Sequence, residues 1–177
     1  MVIPRQDDVT LGILSSRLHC LWAIEKGGRL GVGNDPVYNS SLCFETFPFP
    51  PGLGLSGRVP PDDVPLQTIA QAAADLDRWR ERWLNPDGWL EWETTPEEQA
   101  AGLPPRPVPR QEHARTWKLR TLTNLYNEMP TGLKLRQEKL DSAVAAAYGW
   151  SDYTPKMPDE EVLRRLLALN LERSSAG

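Results

Sequence analysis

The sequence predicts an α+β fold that is mainly helical: amphipathic helices with one small antiparallel β ribbon, arranged as an incomplete N-terminal domain and a C-terminal helical bundle. Three observations predict it. Apolar residues recur at three- and four-residue steps in several segments, which is the spacing of amphipathic helices. Two short strand-like stretches near the N-terminus flank a turn signal. Seventeen prolines and 13 glycines among 177 residues indicate that much of the chain connects elements.

The first predicted element is a helix over residues 10–26. Asp7 or Asp8 can cap its N-terminus, and the pair Gly27-Gly28 can end it. Its apolar stripe consists of Leu11, Leu14, Leu18, Leu21 and Trp22.

A two-stranded ribbon is predicted next. Its strands are Arg29–Val32 and Leu42–Thr46, and the turn signal between them is Asn34-Asp35-Pro36. Two strands alone are marginally stable in water, so the ribbon needs a surface to lie on. The stretch Phe47–Pro51 then leaves the ribbon as an extended strap, because proline fixes φ and removes donors. We expect its rings to be buried between the ribbon and the helices.

The rest of the chain is predicted to be helical apart from one connection. Asp62 or Asp63 opens a helix that tolerates Pro65 in its first turn and ends at residues 85–88. Residues 91–109 are acidic and then proline-rich, which is typical of an exposed, mobile connection. Further helices are predicted over 110–128 and 134–148 and from Pro158 onward. The chain thus divides into residues 1–60, 61–109 and 110–177.

Composition and charge exclude several classes of protein. No stretch approaches the ~18–20 apolar residues that cross a bilayer, and the N-terminus lacks the pattern of a secretory signal. Cys20 and Cys43 are expected to be reduced, buried thiols, so we expect a cytoplasmic protein without a membrane partner. The net charge is −4, and the excess of acidic residues lies in residues 61–105. This balance argues against a free-standing DNA-binding protein of high affinity.

Motifs of catalysis and metal binding are absent from the sequence. It contains no G-x-S-x-G elbow and no Walker-type loop. Two histidines, His19 and His113, are too few for a histidine-rich metal site, and two distant cysteines do not form a zinc ribbon. The glycine-rich stretch 27–33 follows a predicted helix, whereas a dinucleotide fingerprint follows a strand. We therefore expect no catalytic, cofactor-binding or metal-binding residue in this chain.

Two blocks of sequence resemble one family. The first block is residues 11–22 (LGILSSRLHCLW), followed by GRL at 28–30, YNS at 38–40 and FPFP at 47–50. The second block is residues 121–127 (TLTNLYN), 140–150 (LDSAVAAAYGW) and 166–173 (LLALNLER). In this order they resemble the end of the target-recognition region and the C-terminal helical region of MmeI-like type II restriction–modification enzymes and related adenine-N6 DNA methyltransferases.

The resemblance implies a function and also marks a departure. In that family the catalytic part lies upstream, with an S-adenosylmethionine motif and an Asn-Pro-Pro-Tyr/Phe loop that holds the target adenine. This sequence has neither motif, and its nearest string, Asn85-Pro86-Asp87, is predicted to end a helix. The resemblance therefore implies a DNA-recognition portion that binds no cofactor itself. Its partner is a separate methyltransferase subunit or an upstream domain, which binds S-adenosylmethionine. A split subunit, a truncated reading frame and a degraded gene all fit.

Double-stranded DNA is the partner that the resemblance implies, with the ribbon and the helix before it as the contact surface. Side chains with paired donors and acceptors read base edges, and short donors suit phosphates. The candidate DNA-binding residues are Ser15, Ser16, Arg17, His19, Arg29, Asn34, Tyr38, Asn39 and Ser40. Arg29 is expected on a guanine or a phosphate, and Asn34 or Asn39 on an adenine.

Structural roles compete with these assignments. His19 also fits a packed helix residue, Arg29 an ion pair, and the two serines close helix packing. Asn34 also fits a residue that only makes the turn. The cations of the later helices fit either phosphate neutralisation or a solvated face, and they are Lys118, Arg120, Lys134, Arg136 and Lys139. Two other functions remain open: a non-enzymatic helical module whose acidic middle binds a protein, and an inactive gene product.

Overall fold

The computed structural model describes residues 7–31, 35–53 and 62–175. The elements are, in chain order, α1 (Asp8–Ser15), α2 (Arg17–Lys26), β1 (Gly28–Leu30), β2 (Asp35–Val37), α3 (Ser40–Cys43), α4 (Val64–Leu84), β3 (Leu90–Glu93), α5 (Pro96–Ala100), β4 (Arg106–Pro109), α6 (Ala114–Trp117), α7 (Leu122–Glu128), α8 (Thr131–Ala147) and α9 (Asp159–Ser175). The α+β, mainly helical class is confirmed. None of the helices within the described ranges is long and apolar enough to span a bilayer.

The chain forms two compact units. The first comprises Met1–Asp75 and Arg136–Gly177, and the second comprises Leu76–Leu135. The core of the first unit is built by α1, α2, the first half of α4, the second half of α8, and α9. Its largest fully buried side chains are Ile13, Leu18, Trp22, Leu66, Ile69, Leu140, Val144, Val162 and Leu166.

The single helix predicted over residues 10–26 is two helices, because the chain turns at Ser16. Ser16 has extended backbone angles (φ −74°, ψ 154°) and ends α1 while capping α2. Its hydroxyl donates to the Ile13 carbonyl at 2.6 Å and accepts from the His19 N–H at 3.3 Å. A serine that bonds its own backbone competes with the helix in this way, and the leucine stripe runs across the break without showing it. Of the two residues predicted to cap this helix, Asp7 or Asp8, the cap is Asp7, whose carboxylate accepts from Thr10 N–H at 2.7 Å.

The first ribbon exists, but its second strand was placed wrongly. β1 pairs antiparallel with β2, with Arg29 opposite Pro36, whereas Leu42–Thr46 lies in α3 and the turns after it. Pro36 thus belongs to a strand and not only to the turn. Its missing N–H is tolerated because a two-stranded ribbon consists of edges. Asn39 caps α3 by accepting from Ser41 N–H at 3.0 Å, which turns the predicted strand into a helix.

The Phe-Pro strap, Phe47–Pro51, is anchored as predicted by its buried rings. Phe47 and Phe49 are 4% and 6% exposed and meet edge-to-face with centroids 5.2 Å apart. Three side chains donate hydrogen bonds to backbone carbonyls of the strap and of the residue before it. Tyr148, which follows α8, donates to the Pro48 carbonyl at 2.8 Å. From α9, Asn170 donates to the Thr46 carbonyl and Arg173 to the Phe49 carbonyl, each at 2.6 Å.

The second unit contains an element that the sequence did not predict. Residues 91–109 are predicted to be an exposed, mobile connection, but β3, which begins at Leu90, pairs antiparallel with β4, with Trp92 opposite Pro107. Between the strands, Thr95 and Glu98 form a reciprocal capping box on α5. Pro107 and Pro109 lie two residues apart, so both missing N–H groups fall on the same side of the strand, away from the partner.

The later helices are partly as predicted. Residues 110–128 form two helices, α6 and α7, because Thr121 caps a new helix by accepting from Asn124 N–H at 3.2 Å. α4 begins after Asp63, whose carboxylate accepts from Leu66 N–H at 3.0 Å, in agreement with the prediction. Gly149 follows α8 with φ +77°, the left-handed angle that glycine permits at a helix end.

Candidate nucleic-acid interface

The exposed candidates lie on the first ribbon and at the start of α3. Arg29 is exposed in β1, and Tyr38 and Asn39 are exposed directly after β2. Ser40 is half-buried as the first residue of α3. Asn34 lies outside the described residues. The described part of the ribbon carries a cation, Arg29, and an anion, Asp35, so it is not uniformly acidic.

The two serines of the candidate set lie at the break between α1 and α2. Ser16 is 0% exposed, and both its hydrogen bonds are to the backbone of the break. Ser15 is half-buried, and its carbonyl accepts from Gln137 Nε2 at 3.0 Å. A buried hydroxyl engaged in a helix cap does not reach a phosphate, so Ser16 acts as a structural cap in this fold.

Arg17 fastens α2 to the segment before α9. Its guanidinium donates to the Met157 carbonyl at 2.6 Å and contacts Tyr153 Oη at 3.5 Å. It also forms an ion pair with Asp159 in the first turn of α9. These three partners use the fork of donors that a guanidinium offers. The side chain predicted to touch DNA therefore holds together two parts of the first unit.

His19 lies in the core and not on the surface. It is 3% exposed, its ring meets Phe47 edge-to-face at 4.7 Å, and its Nε2 lies 3.1 Å from Tyr38 Oη. Burial lowers the pKa of His19 to about 4, because the imidazolium loses its hydration there. His19 is accordingly neutral at physiological pH, and it touches the candidate interface only through Tyr38.

Tyr38 borders an open cleft of about 220 Å³ between α2 and the ribbon. The other residues that line the cleft are Cys20, Ala23, Ile24, Pro36 and Val37. Cys20 is exposed here, contrary to the prediction of a buried thiol, whereas Cys43 is buried as predicted. Burial raises the pKa of Tyr38, so its hydroxyl remains protonated at neutral pH.

Asp141 is a site residue that the sequence did not single out. It lies in α8, is 5% exposed, and accepts from Arg17 N–H at 2.8 Å and Gln137 Nε2 at 3.1 Å. Burial raises the pKa of its carboxyl. A signal was present, since Asp141 is an acidic residue between Leu140 and Val144 on the apolar side of its helix.

Two arginines of the later helices contact side chains within their own units, and three lysines are exposed at the surface. Arg120 lies over the rings of Trp83 and Trp89, 4.8 Å from each centroid, and donates to the Trp83 carbonyl at 2.5 Å. Arg136 pairs with Asp75 at 3.2 Å. The two arginines thus stabilise their own units, while the three exposed lysines remain candidates for phosphate contacts. These are Lys118, Lys134 and Lys139.

Comparison with known proteins finds a family model that matches the N-terminal segment. The family model of the MmeI target recognition domain matches residues 1–51, the segment that contains α1, α2, the ribbon and the strap. Residues 1–51 are therefore similar in sequence to the MmeI target recognition domain.

Particular relatives extend the likeness beyond residue 51. DNA methyltransferase A of Bacillus subtilis (strain 168) is 30% identical over 164 residues, which are 92% of this chain and 13% of that protein. The solved structure of the Type IIL restriction-modification enzyme MmeI in complex with DNA aligns with a TM-score of 0.59 at 23% identity, over 97% of this chain and 17% of that chain. The chain thus spans a small fraction of the length of either relative. The resemblance noted from the two sequence blocks is confirmed.

Proposed function

We propose that this chain supplies recognition of double-stranded DNA to a site-specific adenine-N6 methyltransferase of a restriction–modification or related phage-defence system. The observation that carries the proposal is the match of residues 1–51 to a target recognition domain. Within that segment, Arg29 lies in β1, and Tyr38 and Asn39 lie between β2 and α3; all three side chains are exposed. These side chains offer a guanidinium, a phenol and an amide to a nucleic acid.

Each exposed side chain suits a particular contact. The Arg29 guanidinium can donate two hydrogen bonds to a guanine edge or to a phosphate. Asn39 uses its side-chain oxygen to cap α3, where it accepts from Ser41 N–H and Ser41 Oγ. The paired contact of an amide with adenine needs that oxygen. Asn39 therefore acts through its NH₂ group, as a donor to a phosphate or a base acceptor.

The transfer chemistry belongs to another polypeptide or to an upstream domain in this proposal. S-adenosylmethionine binds there, and the target adenine is held there. Two features support this division: the sequence lacks the two motifs that carry those tasks in the family it resembles, and it spans 13% of the B. subtilis methyltransferase. This chain then orients the catalytic part on its site.

Deletion in the source cells tests the recognition role. N6-methyladenine is mapped across the genome by single-molecule sequencing with the coding sequence intact, deleted, and restored on a plasmid. Loss of methylation at one recurrent DNA sequence on deletion, and its return on restoration, is expected. Methylation that persists unchanged without the chain overturns the proposal and favours a protein-interaction module or an inactive product.

Photo-crosslinking of the cofactor tests whether S-adenosylmethionine binds outside this chain. Radiolabelled S-adenosylmethionine is crosslinked by ultraviolet light to the assembly purified through a tag on this chain. The label is expected on sequence outside residues 1–177. Label on a peptide from within these residues contradicts the placement of the cofactor, whatever the result of the deletion.

A further inference from the structure

We propose that the Tyr38 hydroxyl donates a hydrogen bond to an acceptor of duplex DNA, and that the buried His19 is the positioning residue that orients it. The inference rests on the proposed function and deepens it, because it gives two candidate residues different roles. Tyr38 touches the nucleic acid, whereas His19 acts only through Tyr38.

The pair connects the core of the first unit with its surface. His19 Nε2 lies 3.1 Å from Tyr38 Oη, and the two ring centroids are 5.8 Å apart. On its other side, the His19 ring packs edge-to-face on the buried Phe47. His19 is 3% exposed and Tyr38 is 44% exposed. An exposed phenol is therefore hydrogen-bonded from within by a buried side chain.

The second ring nitrogen of His19 indicates the direction of this hydrogen bond. Nδ1 is buried and has no hydrogen-bond partner among the described residues. A buried N–H without an acceptor is rare in proteins, whereas a ring nitrogen without a proton leaves only a lone pair unsatisfied. The favoured tautomer therefore carries its proton on Nε2 and donates it to the Tyr38 oxygen. The hydrogen of the Tyr38 hydroxyl is then available to an acceptor outside the protein.

Packing alone does not account for a histidine at position 19. An aliphatic side chain among Phe47 and the other apolar neighbours would fill the space without burying an unsatisfied ring nitrogen. The imidazole contributes one thing that an aliphatic side chain lacks, which is the hydrogen bond to Tyr38. The position of the phenol is therefore the property that His19 serves.

Duplex DNA offers a phenol two kinds of acceptor. Phosphate oxygens line the backbone, and base edges carry acceptors such as purine N7. The chemistry of the contact is the same, but its dependence on sequence differs. A phosphate contact strengthens binding to every duplex, whereas a base contact strengthens binding to the recognised site.

The test measures binding to DNA by the assembly that a tagged chain forms in its own cells. One fluorescent duplex contains the DNA sequence identified by the methylation mapping. A second duplex has the same base composition in scrambled order. Tyr38→Phe removes only the hydroxyl and is expected to weaken binding to the site duplex about five- to tenfold. Tyr126→Phe is the matched control, since that hydroxyl is bound by Arg80 within the second unit.

Variants of His19 separate positioning from packing. His19→Gln keeps a nitrogen donor near the place of Nε2 and is expected to bind DNA like the wild type. His19→Leu is expected to lose as much affinity as Tyr38→Phe. The double variant His19→Leu with Tyr38→Phe is expected to lose no more, because both substitutions remove the same hydrogen bond. Nitrogen-15 NMR of His19 is expected to show the proton on Nε2.

The outcomes distinguish this inference from the function on which it rests. A wild-type assembly that binds neither duplex overturns both. Wild-type binding with an unchanged Tyr38→Phe variant overturns the inference alone. Additive losses in the double variant, or a proton on Nδ1, assign His19 to packing and overturn its positioning role. A loss on both duplexes supports a phosphate contact, and a loss confined to the site duplex supports a base contact.

Discussion

The backbone N–H of Arg17 donates a 2.8 Å hydrogen bond to Oδ1 of Asp141, a residue 124 positions further along the chain. The bond lies at the N-terminus of α2, where backbone N–H groups have no partner within the helix. A carboxylate there also interacts favourably with the helix dipole. One side chain of α8 thus satisfies and orients the start of the helix that carries His19.

Removal of the Asp141 carboxylate is expected to destabilise the first unit. Asp141→Ala leaves the Arg17 N–H and the Gln137 amide without this buried acceptor, which is expected to cost about 2–3 kcal/mol of the free energy of unfolding. Glu172→Ala is the control within the same unit, because Glu172 is an exposed carboxylate of α9. Urea denaturation at neutral pH measures both. Equal midpoints for the two variants would show that the buried bond contributes nothing.

Gly12 allows α1 to lie against α4 and α8. A Cβ at this position would come within 2.8 Å of Ile69 Cγ2, 2.9 Å of Ala73 Cβ and 3.2 Å of Leu140 Cδ1. Gly12→Ala is therefore expected to destabilise by about 1–2 kcal/mol, since crowding outweighs the gain in helix propensity. Gly28→Ala is the matched control, because nothing lies within 4 Å of its added Cβ. A thermal midpoint of Gly12→Ala at or above that of Gly28→Ala would refute the close approach.

Acidification is expected to weaken the fold through His19. Its folded pKa of about 4 lies below the unfolded value, so the unfolded chain binds the proton first. Stability is full above pH 6.5 and falls as the pH drops toward 4, with a loss of about 2 kcal/mol between pH 7.5 and pH 5. His19→Gln lacks this proton, and its unfolding free energy is expected to change less over the same interval. Parallel pH curves for the two proteins would contradict the burial of a neutral imidazole.

Arg29 is expected to contribute directly to binding of DNA. Arg29→Ala is expected to weaken duplex binding by the assembly by about 1–3 kcal/mol if the guanidinium contacts a base. A phosphate contact would instead lower affinity for all sequences alike and reduce the salt dependence of binding. Arg115→Ala, which removes an exposed arginine from α6, is the control. Unchanged affinity and unchanged sequence preference would remove Arg29 from the interface.

The sequence predicted helices best where one apolar stripe and a clear cap coincide. α4 after Asp63 and α9 after Pro158 illustrate this, because helical spacing and an N-terminal signal agree in both. The break at Ser16 was missed, since the stripe of leucines continues through it. The division of residues 110–128 into α6 and α7 was missed for a related reason. Thr121 can cap α7 only because its backbone is extended, and the sequence pattern does not show that.

Strands with prolines were the main failure. Arg106–Pro109 contains two prolines, and the sequence pattern gave no reason to place it in a ribbon. In an antiparallel pair, every second residue points its N–H away from the partner strand. Pro107 and Pro109 occupy such positions, and the sequence alone does not reveal that register. The sequence also did not reveal which candidate DNA-binding side chains are exposed. Arg17 and His19 have the chemistry of DNA contacts, and long-range partners such as Met157 and Phe47 bury or engage them instead.

The hydrogen bonds to the Phe-Pro strap determine where residues 1–51 can be separated from the rest of the chain. The recognition-domain match stops at residue 51, yet the donors that hold the strap come from Tyr148, Asn170 and Arg173. A fragment that ends at residue 51 would leave the carbonyls of Thr46, Pro48 and Phe49 without these donors. It would also lack the helices that carry them. A fragment that keeps these contacts must include both segments of the first unit, since the strap lies in one and its donors lie in the other.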